Sequence, residues 1–152
     1  MQNPETDIPR PEYPRPLLMR EAWLNLNGTW AFQMDADNVG MSLGWFAAGL
    51  PNPVDIVVPY AVESAASEIH DSAPADVVWY EREFVIPADW NERVMLRIGA
   101  CDHWTRVFIN GQEIGQHRGG YAPFGFDIGH ALKDDINRIT LRVEDSLSWT
   151  QP

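Results

Sequence analysis

The sequence predicts an all-β protein built as an antiparallel two-sheet β-sandwich. Three observations carry this reading. Hydrophobic and polar residues alternate over several short runs, an Asn-Gly pair separates two of them, and aromatics are abundant: seven Trp, four Tyr and six Phe in 152 residues. Alternation with a period of two marks strands with one buried face and one wet face. Asn-Gly suits a two-residue hairpin turn because both positions accept positive φ. Aromatic rings fit pleated, half-buried surfaces.

The elements follow in chain order. Trp30, Phe32 and Met34 share one face of a strand within 29–34. Residues 55–58 make a short strand before Pro59. In 78–86, Tyr80, Phe84 and Ile86 fall on one face with Arg82 among them, while Glu81 and Glu83 share the other. Val94, Leu96 and Ile98 alternate with Met95 and Arg97. Residues 105–109 run into Asn110-Gly111 and return through 112–115. Ile139, Leu141 and Val143 alternate with Thr140, Arg142 and Glu144. Seven or eight short strands with Gly- and Pro-rich corners indicate two packed sheets. Helical character is limited to a turn or two near 39–48, 60–67 and 129–133. The polar corner at 87–93 is expected to tuck Trp90 onto the sandwich.

Residues 1–16 hold five of the twelve prolines and read as an extended arm, lying on the surface or hanging free; residues 17–152 form the sandwich. With 45% hydrophobic and 22% charged residues, the balance is that of a globular protein. Twenty-two Asp and Glu face eleven Lys and Arg, a formal charge of −11. That charge repels phosphates and anionic lipid, so neither nucleic acid nor membrane is an expected partner. No apolar run approaches the roughly 18–20 residues of a membrane-spanning helix. The first 30 residues are Pro-rich and charged, without the apolar core of a signal peptide. Together with the single cysteine, Cys101, this predicts a reducing, cytoplasmic setting.

Catalytic motifs are sparse. There is no Gly-x-Ser-x-Gly elbow and no Gly-rich phosphate loop. His70, His103, His117 and His130 lack metal-ligand spacing, so neither metal nor cofactor is expected. Cys101 and His103, two apart, lack a visible orienting group. Glu81 and Glu83 would stand roughly 6–7 Å apart on a strand, within the range of glycosidase carboxylates. Neighbouring acids on an outer strand face are ordinarily solvated, whereas catalytic acids converge across a cleft. The sequon Asn27-Gly28-Thr29 has no meaning without secretion.

Two segments have both a structural and a functional reading. In 117–124, Gly119-Gly120 permits a sharp turn that could return Tyr121 and Phe124 to the sandwich. Alternatively His117, Arg118 and Tyr121 face a sugar, as donors, acceptors and a stacking ring. Arg82 suits a structural ion-pair or hydrogen-bond hub, because its planar fork pairs bidentately.

The ordered set Leu26-Asn27-Gly28-Thr29-Trp30-Ala31-Phe32, Val57-Val58-Pro59-Tyr60, Trp79-Tyr80-Glu81-Arg82, Gly119-Gly120-Tyr121-Ala122-Pro123-Phe124 and Arg138-Ile139-Thr140-Leu141 resembles the N-terminal domain of family-2 glycoside hydrolases, the β-galactosidase, β-glucuronidase and β-mannosidase group. The similarity runs over roughly 15–149 and is greatest toward β-glucuronidases. It implies a jelly-roll, sugar-binding domain preceding an immunoglobulin-like domain and a catalytic (β/α)₈ barrel. In such retaining enzymes the acid/base and nucleophile glutamates belong to the barrel, so this chain alone is expected to be inactive. A family loop that walls the active-site mouth implicates the polar segment 70–76, with Asp71 and Asp76 as carbohydrate-contacting candidates. Asp145, Ser148 and Trp149 are further candidates beside that cleft, or parts of an inter-domain contact patch prone to self-association. The implied partners are a β-glycoside substrate together with the catalytic domain, and a homo-oligomer. The competing expectations are a free-standing carbohydrate-binding module and a protein-interaction sandwich.

Overall fold

A computed structural model describes residues 8–13, 20–71, 75–90 and 93–145. Among the described residues eight strands appear: β1 Gly28–Met34, β2 Val54–Val58, β3 Val77–Phe84, β4 Met95–Ile98, β5 Trp104–Ile109, β6 Gln112–Arg118, β7 Phe124–Asp127 and β8 Asn137–Glu144. They form a six-stranded sheet in the order β2-β1-β3-β8-β5-β6 and a two-stranded sheet β4-β7, antiparallel throughout. The expected sandwich is the observed one. Helical structure is short, as the weak period of 3.6 implies: α1 Trp45–Ala48 and two 3₁₀ turns, Ala65–Ser67 and Gly129–Ala131.

The inner face of the large sheet builds the main core. Trp30 and Phe32 of β1, Ile56 of β2, Val78 and Phe84 of β3, Val107 and Ile109 of β5, and Ile139, Leu141 and Val143 of β8 are buried there, with Leu96 of β4. Phe124 and Phe126 of β7 pack against the same cluster. The Asn110-Gly111 turn has φ of 52° and 83°, the left-handed pair expected of this dipeptide. Between Val107 and Phe108 the β5–β6 register shifts, leaving Ile114 as an extra residue on the edge strand. Next to it Gly115 has no side chain to spare: an added Cβ would lie 2.5 Å from the Phe126 ring.

One expectation needs correcting. Alternation predicts a wet outer face for β8, yet Thr140 and Arg142 are buried along with the apolar residues between them. The reason is position: β8 lies between β3 and β5, and the outer face of that centre is covered. The segment after β1 folds over it, with Trp45, Leu50, Trp79, Val77 and Phe108 forming a second small core. Phe46 stacks on Phe108 at 4.9 Å, and Trp45 tilts against Trp79 at 5.8 Å. The Arg142 guanidinium reaches Glu144 at 2.9 Å and donates to Asn38 Oδ1 at 2.8 Å.

Asp35 holds this cover in place. Its buried carboxylate accepts from Val39 N at 2.8 Å, Gly40 N at 2.9 Å and Trp79 Nε1 at 2.9 Å. Gly40 lies so close that a Cβ there would meet Trp45 and Trp79 at 2.7 Å. Arg82 is a hydrogen-bond hub, its Nη1 donating to the carbonyls of Leu26 at 3.0 Å, Asn27 at 2.9 Å and Thr29 at 3.3 Å. The described part of the Pro-rich arm lies on the surface: Asn27 Nδ2 donates to Pro9 O at 3.1 Å, and Tyr13 meets Trp23 edge-on at 4.9 Å. Trp90 is half-buried at its corner, where its amide donates to Pro87 O at 3.0 Å.

Replacing Asp35 by Ala strands two buried donors and a third that is part-buried, each buried one worth about 1–3 kcal/mol when unpaired. The expected result is a loss of about 3 kcal/mol or more in urea unfolding. Val54→Thr, on an exposed edge position, should stay within about 0.5 kcal/mol of the parent. Equal midpoints for the two variants would refute the role given to Asp35.

Candidate functional site

Strand register gathers Asp76, Arg118, Tyr121 and Asp145 of the candidate residues at one end of the sandwich. Met34 pairs with Val78, Val77 with Glu144, Glu144 with Trp104, and Trp104 with Arg118. Residues 75–76, the loops 99–103 and 119–123 and the exit of β8 at Asp145 therefore share that end. Backbone bonds tie them together: Asp145 N donates to Asp76 O at 2.9 Å, and Gly119 N to His103 O at 2.7 Å. Gly119 has a φ of 119°, which explains the glycine. Gly120 accommodates the Asp102 carboxylate, whose Oδ1 would lie 2.4 Å from a Cβ at that position.

This end is acidic. Burial pushes the Asp145 carboxyl above the usual carboxylate range, with Asp102, Asp76 and Glu63 adding to the rise and His103 opposing it. Three of those acids come from loops that are distant in sequence. Asp76 and Asp145 stand among the expected residues; Glu63 and Asp102 join them without any sequence signal, since no spacing relates the segments. Asp71 lies at the start of its loop, its amide donating to Val62 O at 3.2 Å.

The residues of 117–124 point in different directions. Arg118 lies on the outer face, its guanidinium 4.5 Å above the Trp104 ring. The indole is steadied by Gln116, which accepts from Trp104 Nε1 at 3.0 Å. His117, one residue earlier, takes the inner face and stacks on Phe124 at 4.1 Å and 12°. Phe124 thus returns to the sandwich as its structural reading expects. Tyr121 does not: it is 95% exposed, held away from the core by the glycine turn. Trp149 and Ser148 lie outside the described residues.

The weaker catalytic ideas resolve on geometry. Glu81 is not solvated as expected: it faces Arg138 Nε at 3.7 Å and accepts from Thr140 Oγ1 at 3.2 Å, because β8 places a cation and a hydroxyl beside it. Glu83 remains exposed. Burial pushes the Cys101 thiol up; the Thr105 hydroxyl offsets part of this and Asp102 adds to it. Such a thiol is the reverse of an activated nucleophile. Burial likewise raises the Tyr80 hydroxyl well beyond the usual phenol range, with Cys101 and Glu63 contributing. Among the described residues no group of three His, Cys, Asp or Glu could hold a metal ion.

Two outcomes follow. Iodoacetamide should modify the partly buried Cys101 more slowly in the folded protein than in denaturant; native labelling as fast as that of a free thiol would contradict the raised thiol. Asp145 binds its proton more tightly folded than unfolded, so its contribution to stability falls as pH rises through the unfolded and then the folded carboxyl range. Asp145→Asn should therefore raise Tm at neutral pH, and the difference should vanish below that range. A variant less stable than the parent at pH 7 would show that Asp145 is compensated.

Residues 23–152 match the family model described as glycosyl hydrolases family 2, sugar binding domain. The chain is 34% identical to a β-glucuronidase of Paenibacillus borealis, with 90% of this chain aligned, and 32% identical to that of Homo sapiens, with 91% aligned. It spans 23% of the length of each. The apo β-glucuronidase of Ruminococcus gnavus superposes with a TM-score of 0.74 at 34% identity, over 86% of this chain and 23% of that one. Its complex with D-glucuronic acid superposes with a TM-score of 0.73 over the same shares. The chain thus belongs to glycosyl hydrolases family 2, as a sugar binding domain.

Proposed function

We propose that this sandwich is the N-terminal accessory domain of a β-glucuronidase-type enzyme, supporting hydrolysis of O-glycosidic bonds by a catalytic barrel beyond it. The observation that carries the reading is the coverage: nine-tenths of the chain aligns with less than a quarter of each relative. The described site agrees with it. Its acids gather around the exit of β8, where Asp102, Asp76 and Glu63 all act on Asp145. A domain that positions a barrel and shapes access to it presents polar groups at the end that meets the barrel, while the catalytic pair belongs to the barrel.

In this reading Asp76, Asp145 and the exposed Tyr121 face the substrate entrance, and Arg118, braced on Trp104, borders it. Asp71 and His117 contribute through the loop and the Phe124 stack that hold those residues. The whole enzyme acts on a β-glycoside, works in a reducing cytoplasm and assembles as a homo-oligomer through domains that include this one.

The test is activity with and without the barrel. The purified 152-residue chain should leave nitrophenyl β-glucuronide and β-galactoside intact, and a protein carrying the chain with its barrel should cleave one of them. Turnover by the short chain, copurifying with it through successive columns, would refute the accessory role.

A further inference from the structure

The other end of the sandwich holds a feature that the accessory role does not use. On the outer face, beside the Asn110-Gly111 turn, an open groove of about 240 Å³ is lined by Ala47, Glu83, Asn110, Lys133, Ile136 and Arg138. Glu83 and Arg138 are direct cross-strand partners. Even so, the guanidinium turns away: Nη2 donates to Ala47 O, and Nε faces Glu81 at 3.7 Å. Glu83 is left without an ion-pair partner among the described residues, and Lys133 has none either. Two opposite charges thus share one groove and do not meet.

The groove is kept open by a built framework. Asn137, fully buried, accepts from Lys133 N at 2.8 Å and donates to Lys133 O and Asp135 O at 3.0 Å, which fixes the loop carrying Lys133 and Ile136. Asn110 donates to Ala131 O and Asn137 Oδ1 at 2.8 Å and accepts from Arg138 N at 3.0 Å. These amides are spent on the framework. Of the lining side chains, the Lys133 ammonium, the Glu83 carboxylate and the half-exposed Ile136 make none of these framework bonds.

We propose that this groove is a second saccharide subsite, taking a carboxylated monosaccharide with its carboxylate on Lys133 and its ring hydroxyls on Glu83. A hexuronate carries an anion and several hydroxyl donors at fixed places on a rigid ring, and its C–H face suits Ile136. Glycine or another small amino acid could match the two charges but brings no ring face to Ile136, and a ring-bearing amino acid lacks the several hydroxyl donors that the Glu83 carboxylate accepts. The volume suits one ring and not a chain, being below that of drug-sized sites. The ligand class rests on the sugar-binding reading above; the place and its charges stand apart from it.

Amide NMR shifts of the ¹⁵N-labelled 152-residue chain test this, with D-glucuronate as the probe and D-glucose and glycine as controls. Glucuronate should move the amides of Lys133, Ile136 and Arg138 and saturate in the millimolar range, about −4 kcal/mol. Glucose should bind more weakly, since it lacks the carboxylate. Lys133→Ala and Glu83→Gln should each weaken glucuronate by about tenfold, a loss near 1.4 kcal/mol, with Tm unchanged. No shifts, equal binding of glucose, or glycine matching glucuronate would each overturn the subsite. Shifts confined to Asp76, Tyr121 and Asp145 would overturn it too, leaving the accessory role intact. Hydrolysis by the short chain would sink that role without touching this groove.

Discussion

The Asp35–Trp79 hydrogen bond sets the conditions for the rest of the sandwich. Trp79 sits on the outer face of a central strand and is fully buried. Burying an indole removes about 150–250 Å² from water, a gain of about 4–6 kcal/mol at most. That gain requires a partner for the ring N–H, and the Asp35 carboxylate provides it at 2.9 Å. The same carboxylate gathers the amides of Val39 and Gly40, so the chain must turn immediately after β1 and lay α1 across the sheet. Covering the centre from outside is what makes β3 and β8 two-sided core strands and leaves polar groups to the two ends.

Charge is distributed accordingly. Most of the described guanidinium groups are committed: Arg82 to three carbonyls, Arg93 to Asp127, Arg106 to Glu113, Arg138 to Glu81 and Ala47, Arg142 to Glu144 and Asn38. Arg118 spends its planar face on Trp104. The acids at the Asp145 end are left facing one another, with only His103 opposing their effect on Asp145. Mutual repulsion among carboxylates costs stability, and a scaffold carries such a cost where the end of a sandwich meets something outside it. An aromatic ring exposed as fully as Tyr121, on a turn fixed by two glycines, belongs to the same economy of positions.

The strands, the hairpin and the inner core were legible because each rests on local information. Period-two alternation places Trp30, Phe32, Leu96, Ile139 and Val143 on one face whatever the neighbours are, and Asn-Gly dictates its turn through its own φ preferences. Phe124 and Arg82 follow similarly from apolar character and from a guanidinium on an apolar face. The ordered family motifs, spread over nearly the whole chain, pointed to a β-sandwich as well.

What the chain could not disclose by itself depends on which strand lies beside which. Nothing local distinguishes Thr140 and Arg142 from residues on a wet face; only the placement of β8 between β3 and β5, under a cover hung from Asp35, buries them. Glu81 becomes paired through its register with Thr140, while Tyr121 leaves the core because its glycine turn is anchored to His103 and Asp102. The joining of Glu63 and Asp102 to Asp76 and Asp145 is likewise a property of the assembled ends. Sequence determined periodicity, turns and family, because these are short-range or pattern properties. Tertiary structure alone decided which polar groups meet, because that depends on contacts between segments far apart in the chain.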